Sequence, residues 1–402
     1  MPSKKLFLAS IVLFVLVSFP LISSVGASLE MWSQTYGGTS SDEAEAMVQT
    51  SDGGYAIAGY TRSFGAGSYD FWLVKTDEHG NMEWNKTYGG AGNELAYALV
   101  ETSDGGYALT GSGLFVKTDG YGNVEWNQTY GGVSLIETSD GGYAIAGSKN
   151  DDFSLVKIDA YGNMEWNQTY GGAEVECAHS LVETSDGGFA LAGGTIVSND
   201  AGYRAWRFWL VKTDENGNML WNQTYGIAND RAYSLVRTSD GGFALAGTTY
   251  IWDPATLGAG NYDFWLVKTD EYGNMEWNRT YSGWRAYALV ETSDGGFALA
   301  GGSRLVKTDA YGNMEWNRTY GGVAYALVEK SDGGYALAGY APIGAGTYDF
   351  WLAKTDEHGV IPEFPSWAVL PLLITATLVA ILYKKRLPKN LSNQQKSFIS
   401  GD

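Results

Sequence analysis

Aspartates recur at fixed positions along this chain, and their carboxylates could bind a cation. The tetrapeptide Ser-Asp-Gly-Gly and the pattern Lys-x-Asp-x-x-Gly each occur seven times. A calcium loop needs several oxygen ligands that converge from alternate positions, whereas each of these motifs supplies one carboxylate. Asp side chains also cap tight turns beside glycine. The sequence therefore favours turn capping over calcium binding, and it predicts no metal site and no cofactor.

Other residues with catalytic potential are few. No Ser-His-acid set, metal cluster or phosphate-binding loop stands out. Asp42, Glu43 and Glu45 could supply the carboxylate pair of a glycoside hydrolase, but a solvated acidic loop is the preferred interpretation. His179 lies near Cys177, and a loop thiol without a second cysteine is preferred there over a redox or metal pair. We therefore predict no catalytic residue.

The charge balance excludes one class of partner. The 402 residues include 26 Lys and Arg, 45 Asp and Glu, and one cysteine. Seven basic residues lie in the two ends, so residues 28–360 carry 43 acidic and 19 basic side chains. A body this negative repels a phosphate backbone, so nucleic acid is not an expected partner.

Seven copies of one unit must position all of these residues. Each copy has four segments of strand composition, with Asp-Gly-Gly between the first two and Asp-x-x-Gly-Asn before the fourth. Four antiparallel strands at a period of 39 to 56 residues are typical of a β-propeller blade. The fourth strand carries Trp followed by x-x-Thr-Tyr, at Trp32, Trp84, Trp126, Trp166, Trp221, Trp277 and Trp316.

The ends of the repeat array predict how the ring closes. Glu30 to Tyr36 is a fourth-strand motif that precedes the first full copy, and the last copy stops after Asp356 without one. The first strand can complete the last blade and remove an open sheet edge. We therefore predict an all-β fold, a seven-bladed β-propeller of four-stranded blades over residues 28–360, closed by the N-terminal strand.

Both ends of the chain have the composition of targeting segments. Residues 1–27 combine two lysines, an apolar run and small residues before Ser28, which is typical of a signal peptide. Residues 367–383 are apolar and are followed by basic residues, which predicts a transmembrane helix and a cytoplasmic tail over 384–402. Residues 361–366 would be a short Pro-rich stalk. The expected location is the cell surface, with the membrane as a partner of the C-terminal helix.

The copies resemble the β-propeller repeats of archaeal and bacterial exported proteins, with the pattern DGGY-x-x-x-G, then WLVKTD-x-x-GN-x-x-W and YGG. They are distantly similar to quinoprotein-type blades, but the step from Asp77 to Trp84 is one residue shorter, so no quinone site is implied. The segment 361–365, Ile-Pro-Glu-Phe-Pro, resembles the PEF-type C-terminal sorting signals of archaeal surface proteins. That resemblance implies a tail that a sortase-like membrane protease processes.

The two faces of the predicted disc differ in variability. The Ser-Asp-Gly-Gly and Asp-x-x-Gly turns share one face, here called the constant face. The connections between second and third strands and the links between blades share the other, here called the variable face, which carries the length variation. Exposed Trp and Arg on loops are typical of binding sites, although these side chains could instead pack their own loops. The predicted ligand contacts are Arg204, Trp206, Arg207, Tyr250, Trp252, Asp253, Trp284 and Arg285.

The sequon Asn-x-Thr recurs on the fourth, outermost strand. Export would allow glycosylation there, and the alternative is that Asn belongs to the repeated turn-and-strand pattern. The predicted sites are Asn85, Asn127, Asn167, Asn222, Asn278 and Asn317. The favoured function is non-enzymatic extracellular binding, adhesion or envelope structure, with a protein or glycan ligand. The alternative is an exported, carbohydrate-active propeller enzyme.

Overall fold

The computed structural model describes residues 31–361, except 199–201, 203, 228, 252–260 and 345. The regular elements of these residues are all β-strands, 26 in number. Within this range we find no helix with the length and apolar character that a membrane crossing needs. The predicted signal peptide, the stalk beyond Ile361, the transmembrane segment 367–383 and the tail all lie outside the described residues.

The first strand, β1 (Trp32–Tyr36), is followed by five antiparallel four-stranded sheets in chain order. Blade 1 contains β2 (Asp42–Gln49), β3 (Tyr55–Thr61), β4 (Asp70–Thr76) and β5 (Met82–Tyr88). Blade 2 contains β6 (Ala96–Glu101), β7 (Tyr107–Gly111), β8 (Phe115–Thr118) and β9 (Val124–Gln128). Blade 3 contains β10 (Ser134–Glu137), β11 (Tyr143–Lys149), β12 (Asp152–Ile158) and β13 (Met164–Tyr170).

The next two blades have the same strand order. Blade 4 contains β14 (Glu176–Glu183), β15 (Phe189–Ser198), β16 (Arg204–Thr213) and β17 (Met219–Tyr225). Blade 5 contains β18 (Arg231–Arg237), β19 (Phe243–Ile251), β20 (Asn261–Thr269) and β21 (Met275–Tyr281). The chain continues as β22 (Ala288–Glu291), β23 (Phe297–Thr308), β24 (Met314–Glu329), β25 (Tyr335–Gly344) and β26 (Thr347–Lys354).

These last strands form a sixth sheet, blade 6, which has six strands in the order β1-β26-β25-β24-β23-β22. The prediction of a seven-bladed propeller of four-stranded blades is therefore wrong, because the described residues form six sheets. The last two sequence copies share one sheet because the segments that connect their strands are short and stay hydrogen-bonded within the sheet. β23 turns at Gly302 (φ 53°), and β24 runs on through Gly321 and Gly322.

The ring closes through the first strand, as the ends of the repeat array predicted. β1 pairs antiparallel with β26, with Trp32 opposite Lys354 and Tyr36 opposite Phe350. The inner strands β2, β6, β10, β14, β18, β22 and β24 contact one another in sequence around the ring, and β2 also contacts β24. They surround a central channel, and closure leaves β26 paired on both edges.

The hydrophobic core lies between neighbouring blades. Ala58 on β3 and Leu73 on β4 pack against Leu99 and Tyr107 of blade 2 in one buried cluster. Both faces of the second and third strands are apolar because each blade is covered on both sides. Trp84 of the outer strand packs edge-on against Tyr107, with ring centroids 5.9 Å apart. The small side chains of β3 allow this close approach.

A buried lysine ties the two turns of each blade together on the constant face. Lys75 Nζ lies 2.8 Å from Asp52 of the first turn and 3.0 Å from Glu83 on β5. Because Asp52 and Thr76 both bond to Lys75, the two turns lie on the same face, as predicted. The lysines in this arrangement are Lys75, Lys117, Lys157, Lys212, Lys268 and Lys307.

Two further contacts repeat between blades. The Tyr36 hydroxyl donates a hydrogen bond of 2.7 Å to the Gly80 carbonyl in the next Asp-x-x-Gly turn, and Tyr88, Tyr170, Tyr225, Tyr281 and Tyr320 do the same. Ser51 of the first turn donates to Glu101 of the next inner strand at 2.9 Å, and four other junctions repeat this bond. The same contacts therefore recur at most blade junctions of the constant face.

Candidate functional site

The inner strands carry a β-bulge at one recurring position, six residues before the Ser of Ser-Asp-Gly-Gly. On β2 the register shifts between Ala44 and Ala46, which leaves Glu45 outside the ladder, and β6, β14, β18 and β24 shift at the same place. Bulges redirect a side chain and occur often beside functional sites. The half-buried residues at this position, here called the bulge ring, are Glu45, Tyr97, Val133, His179, Tyr233, Tyr287 and Tyr325.

Most of the bulge ring forms one continuous run of aromatic contacts. The His179 and Tyr233 ring centroids lie 5.0 Å apart, those of Tyr233 and Tyr287 5.3 Å, and those of Tyr287 and Tyr325 4.7 Å. Tyr325 continues the run to Tyr340 at 5.7 Å. We call these five residues the aromatic arc. It covers the channel wall from blade 4 to blade 6.

Two arginines lie two residues before the bulge ring, on the side of the variable face. The Arg231 guanidinium lies 3.9 Å from the Trp206 ring centroid. The Arg285 guanidinium lies 5.2 Å from the Trp284 ring and 5.9 Å from the Tyr233 ring. Neither arginine has an ion pair with any described residue. Arg285 Nε is buried and has no hydrogen-bond partner among them.

The predicted acidic loop is wrong, because its residues lie on strand β2. Asp42 is fully buried and accepts hydrogen bonds from Thr61 Oγ1, Ser63 Oγ at 2.7 Å and the Gly38 amide at 3.0 Å, so it is a structural cap. Glu43 and Glu45 are half-buried beside the channel. Burial, together with the charge of Glu43, raises the pKa of Glu45 to about 8.

The predicted loop thiol is also placed differently by the structure. Cys177 is half-buried on strand β14, and His179 two residues later belongs to the bulge ring. Burial and the charges of Arg231 and Arg285 lower the pKa of His179 to about 4. At neutral pH both His179 and Glu45 are therefore uncharged, and the charged side chains near Trp284 are Arg285, Arg304 and Asp263.

The structure brings together three of the predicted ligand contacts. Trp206, Trp284 and Arg285 lie at the variable-face mouth of the channel, with Arg231, which sequence reasoning missed. Aligning the copies on Ser-Asp-Gly-Gly would have found it, because the positions of Arg231 and Arg285 in that alignment are the same. A cavity of about 820 Å³ beside them is lined by Tyr262, Asp263, Trp284, Arg285 and Arg304, among others.

Three other predicted contacts are described by the structure, and each has different surroundings. Arg204 forms an ion pair with Glu174 near the end of the β15–β16 hairpin. Tyr250 packs edge-on against Tyr262, with centroids 5.2 Å apart. Arg207 is half-buried, and its Nε has no hydrogen-bond partner within the described ranges. Trp252 and Asp253 lie outside the described residues.

The repeated Asp side chains cap their turns. Asp77 Oδ1 accepts hydrogen bonds from the His79 amide at 2.9 Å and the Asn81 amide at 2.8 Å, and Asp52 accepts one from the Gly54 amide. In the part of the chain that the structure describes, no group of three His, Cys, Asp or Glu is placed to hold a metal ion. Turn capping thus accounts for the positions of both motifs.

The predicted sequon asparagines are exposed on outer strands, and some have a structural contact. Trp72 Nε1 donates a hydrogen bond of 3.2 Å to Asn85 Oδ1, and Trp209 and Trp265 do the same to Asn222 and Asn278. In blade 6 Trp351 donates to Ser33 at 2.7 Å. Asn127, Asn167 and Asn317 belong to copies without this Trp. Glycosylation of the six sites stays a prediction.

No protein-family model and no curated protein matches this chain. Among solved structures it is similar to the WD40 domain of Neurospora crassa Pan2, with a TM-score of 0.53 and 11% identity over 84% of this chain and 99% of that one. BamB from Moraxella catarrhalis has a TM-score of 0.44 and 14% identity over 82% and 98% of the two chains. At such identities the likeness to the Pan2 domain shows the fold alone, which is a β-propeller.

Proposed function

We propose that this chain is a cell-surface binding module whose ligand occupies the variable-face mouth of the central channel. One observation carries the proposal. The bulge ring differs from copy to copy, with Glu, Tyr, Val and His at one position, whereas the neighbouring strand positions are nearly constant. If this position only stabilised the fold, one residue type could occupy it in every copy. Tyr occupies four of the seven positions, and Glu45, Val133 and His179 break the symmetry of the ring, which suits recognition of an unsymmetrical ligand.

The local structure supports binding at this mouth. Trp284 is 65% exposed although it lies beside half-buried arginine and tyrosine side chains. Exposed Trp next to Arg is typical of binding hot spots, because Trp gives a large contact area and the Arg guanidinium donates several hydrogen bonds. The signal-like residues 1–27 support an extracellular ligand. The ligand classes that fit are an extracellular glycan or a protein segment.

Binding of the purified full chain to an array of glycans and extracellular proteins tests the proposal. We expect at least one ligand whose binding falls tenfold or more in Trp284→Ala and Tyr287→Ala. Tyr121→Ala is the matched control, because Tyr121 is 76% exposed in an Asp-x-x-Gly turn of the constant face. Unchanged binding in the first two variants, with loss in the control, would move the site to the constant face.

A second candidate function is carbohydrate-active catalysis at the same mouth. The observation that favours it is the neighbouring pair Glu43 and Glu45, since burial raises the pKa of Glu45 to about 8 and keeps it a proton donor at neutral pH. Hydrolysis of a glycan panel by the full chain, abolished in Glu45→Gln, would establish this function. Turnover that survives this substitution would exclude Glu45 as the general acid.

A further inference from the structure

We propose that the channel mouth binds a carboxylate-bearing glycan, a uronic acid oligomer, and that Arg231 and Arg285 bind its carboxylates. This inference rests on the proposed function, because it names the ligand class of the same site.

The first argument is that Arg231 and Arg285 lack acidic partners, although the chain is rich in Asp and Glu. Residues 28–360 hold 43 acidic and 19 basic side chains. Each of the six buried lysines of the constant face has one or two carboxylate partners. Arg231 and Arg285 have none among the described residues, although both are half-buried. Two arginines without an ion pair among these residues attract an anion to this opening of an otherwise negative body. Asp263 also lines the adjacent cavity, where it accepts a hydrogen bond from the Gly283 amide.

The second argument is an unsatisfied donor. Arg285 Nε is buried without a hydrogen-bond partner in the described part of the molecule. Its Nη1 lies 3.5 Å from the Tyr287 hydroxyl, at the limit of a hydrogen bond. A buried polar group without a partner is unfavourable, and a bound acceptor removes that cost. Carboxylates accept two parallel hydrogen bonds from a guanidinium, so they match this group in geometry and in charge.

The third argument is that both guanidinium groups are already positioned. Arg231 stacks on Trp206 at 3.9 Å, and Arg285 lies 5.2 Å from the Trp284 ring and 5.9 Å from the Tyr233 ring. Stacking on an aromatic face leaves the planar edge of the guanidinium free for a ligand. The two arginines occupy equivalent positions on neighbouring inner segments, eight residues before the Ser of Ser-Asp-Gly-Gly. An oligomer with a carboxylate on each sugar offers a separate acceptor group to each arginine.

The fourth argument concerns the glycan class. The aromatic arc and Trp284 present ring faces and edges, which pack against the flat apolar faces of sugar rings. The adjacent cavity of about 820 Å³ falls in the size range of ligand pockets. Glu43 and Glu45 lie on blade 1, whereas the two arginines lie on blades 5 and 6. The positive part of the mouth thus coincides with its aromatic part.

Calorimetric titration of the full chain with uronate oligomers tests the inference. The panel contains galacturonate, mannuronate and guluronate oligomers, each paired with its carboxyl-reduced neutral counterpart of equal length. We expect at least one uronate oligomer to bind tenfold or more tightly than its neutral counterpart. Arg231→Gln and Arg285→Gln should each weaken binding at least tenfold. Arg279→Gln is the matched control, because Arg279 also lies over a Trp ring, 5.7 Å from Trp277, but on the outer strand β21.

Other outcomes separate the two proposals. Equal binding of neutral and acidic oligomers, still lost in Trp284→Ala, would overturn the carboxylate inference and leave the channel-mouth site standing. Tighter binding of poly-glutamate than of every uronate oligomer would overturn the glycan class. Uronate binding that Arg279→Gln weakens as much as Arg285→Gln would show general charge attraction and overturn the arginine site. If a ligand from the array of glycans and extracellular proteins binds equally well to all variants of the channel mouth, the proposed function itself is overturned.

Discussion

The constant and variable faces lie at opposite ends of the same strands. The seven copies have mostly the same residues and contacts on the constant face and different residues on the variable face. On the constant face the same Lys–Asp, Tyr–Gly and Ser–Glu contacts recur around the ring. At the variable-face mouth, equivalent positions hold Glu43, Cys177, Arg231 and Arg285. The difference teaches that repeated contacts hold the blades in place, so that the opposite end can vary without loss of the fold.

The exceptions on the constant face follow from neighbouring substitutions. Lys212 has one acidic partner, Asp186, because Leu220 stands where other copies have Glu. In the closing copy Met31 stands where other copies have this Glu. The turn residue Asp332 of that copy pairs with Lys330, at 2.7 Å, and not with the lysine of the third strand. These sites are natural tests of how much each repeated contact contributes.

The largest expected effect is on ring closure at the constant face. Tyr36→Ala should lower the free energy of unfolding by about 4 kcal/mol, since it empties a buried site and removes the hydrogen bond to Gly80. Urea unfolding of the full chain measures the change. Tyr121→Ala, at an exposed position, should change it by less than about 0.5 kcal/mol. If Tyr36→Ala changes the free energy of unfolding as little as Tyr121→Ala does, β1 does not close the ring in solution.

The second prediction compares two buried lysines. Asp186→Ala leaves Lys212 without an acidic partner, whereas Asp104→Ala leaves Lys117 with Glu125 at 2.9 Å. The expected losses in free energy of unfolding are about 3 kcal/mol and about 1 kcal/mol, because an unpaired buried charge is costly. Urea unfolding at pH 7 gives both values. Equal losses would mean that the second acid contributes little to holding the lysine.

The third prediction concerns Glu45 beside the channel, because ionising this buried carboxyl group lowers the free energy of unfolding. Burial and Glu43 raise the pKa of Glu45 to about 8, so its contribution to stability is fully present below pH 4.5 and is lost as the pH rises through 8. Glu45→Gln should therefore stabilise the chain by about 2 kcal/mol at pH 8 and leave it unchanged at pH 4. Urea unfolding at the two pH values measures this. A loss of stability at pH 8 would show that ionised Glu45 has a favourable partner.

The smallest effect is the acid sensitivity of the constant face. Burial raises the pKa of Asp104, but the hydrogen bonds from Lys117 and Thr102 outweigh it and lower the pKa to about 2. The equivalent aspartates whose lysine has a second acidic partner behave alike. Their contribution is present above about pH 3.8 and is lost as the pH falls through 2. The exposed carboxylates limit each effect to less than about 1 kcal/mol. The melting temperature should fall from pH 4 to pH 2, and less steeply in Asp104→Asn; parallel curves would contradict the assignment.

Local sequence was sufficient for much of the fold. The alternation of turn motifs and apolar segments predicted the four-strand unit, since Asp and Gly in tight turns act through contacts a few residues away. The isolated strand motif at Trp32–Tyr36 predicted the pairing with β26. The sheet count was missed, because whether a short connection such as Gly302 leaves the ladder depends on hydrogen bonds between strands and not on the repeat.

The candidate site was predicted only in part. Trp206, Trp284 and Arg285 were singled out by residue type, but Arg231 and the aromatic arc were not, because their residues lie in different copies and meet only around the channel. The sequence by itself determined the repeated unit, the turns and the charge of the body. The tertiary structure decided which unlike residues face each other, because that depends on closing the ring, which brings inner strands far apart in the chain to one opening.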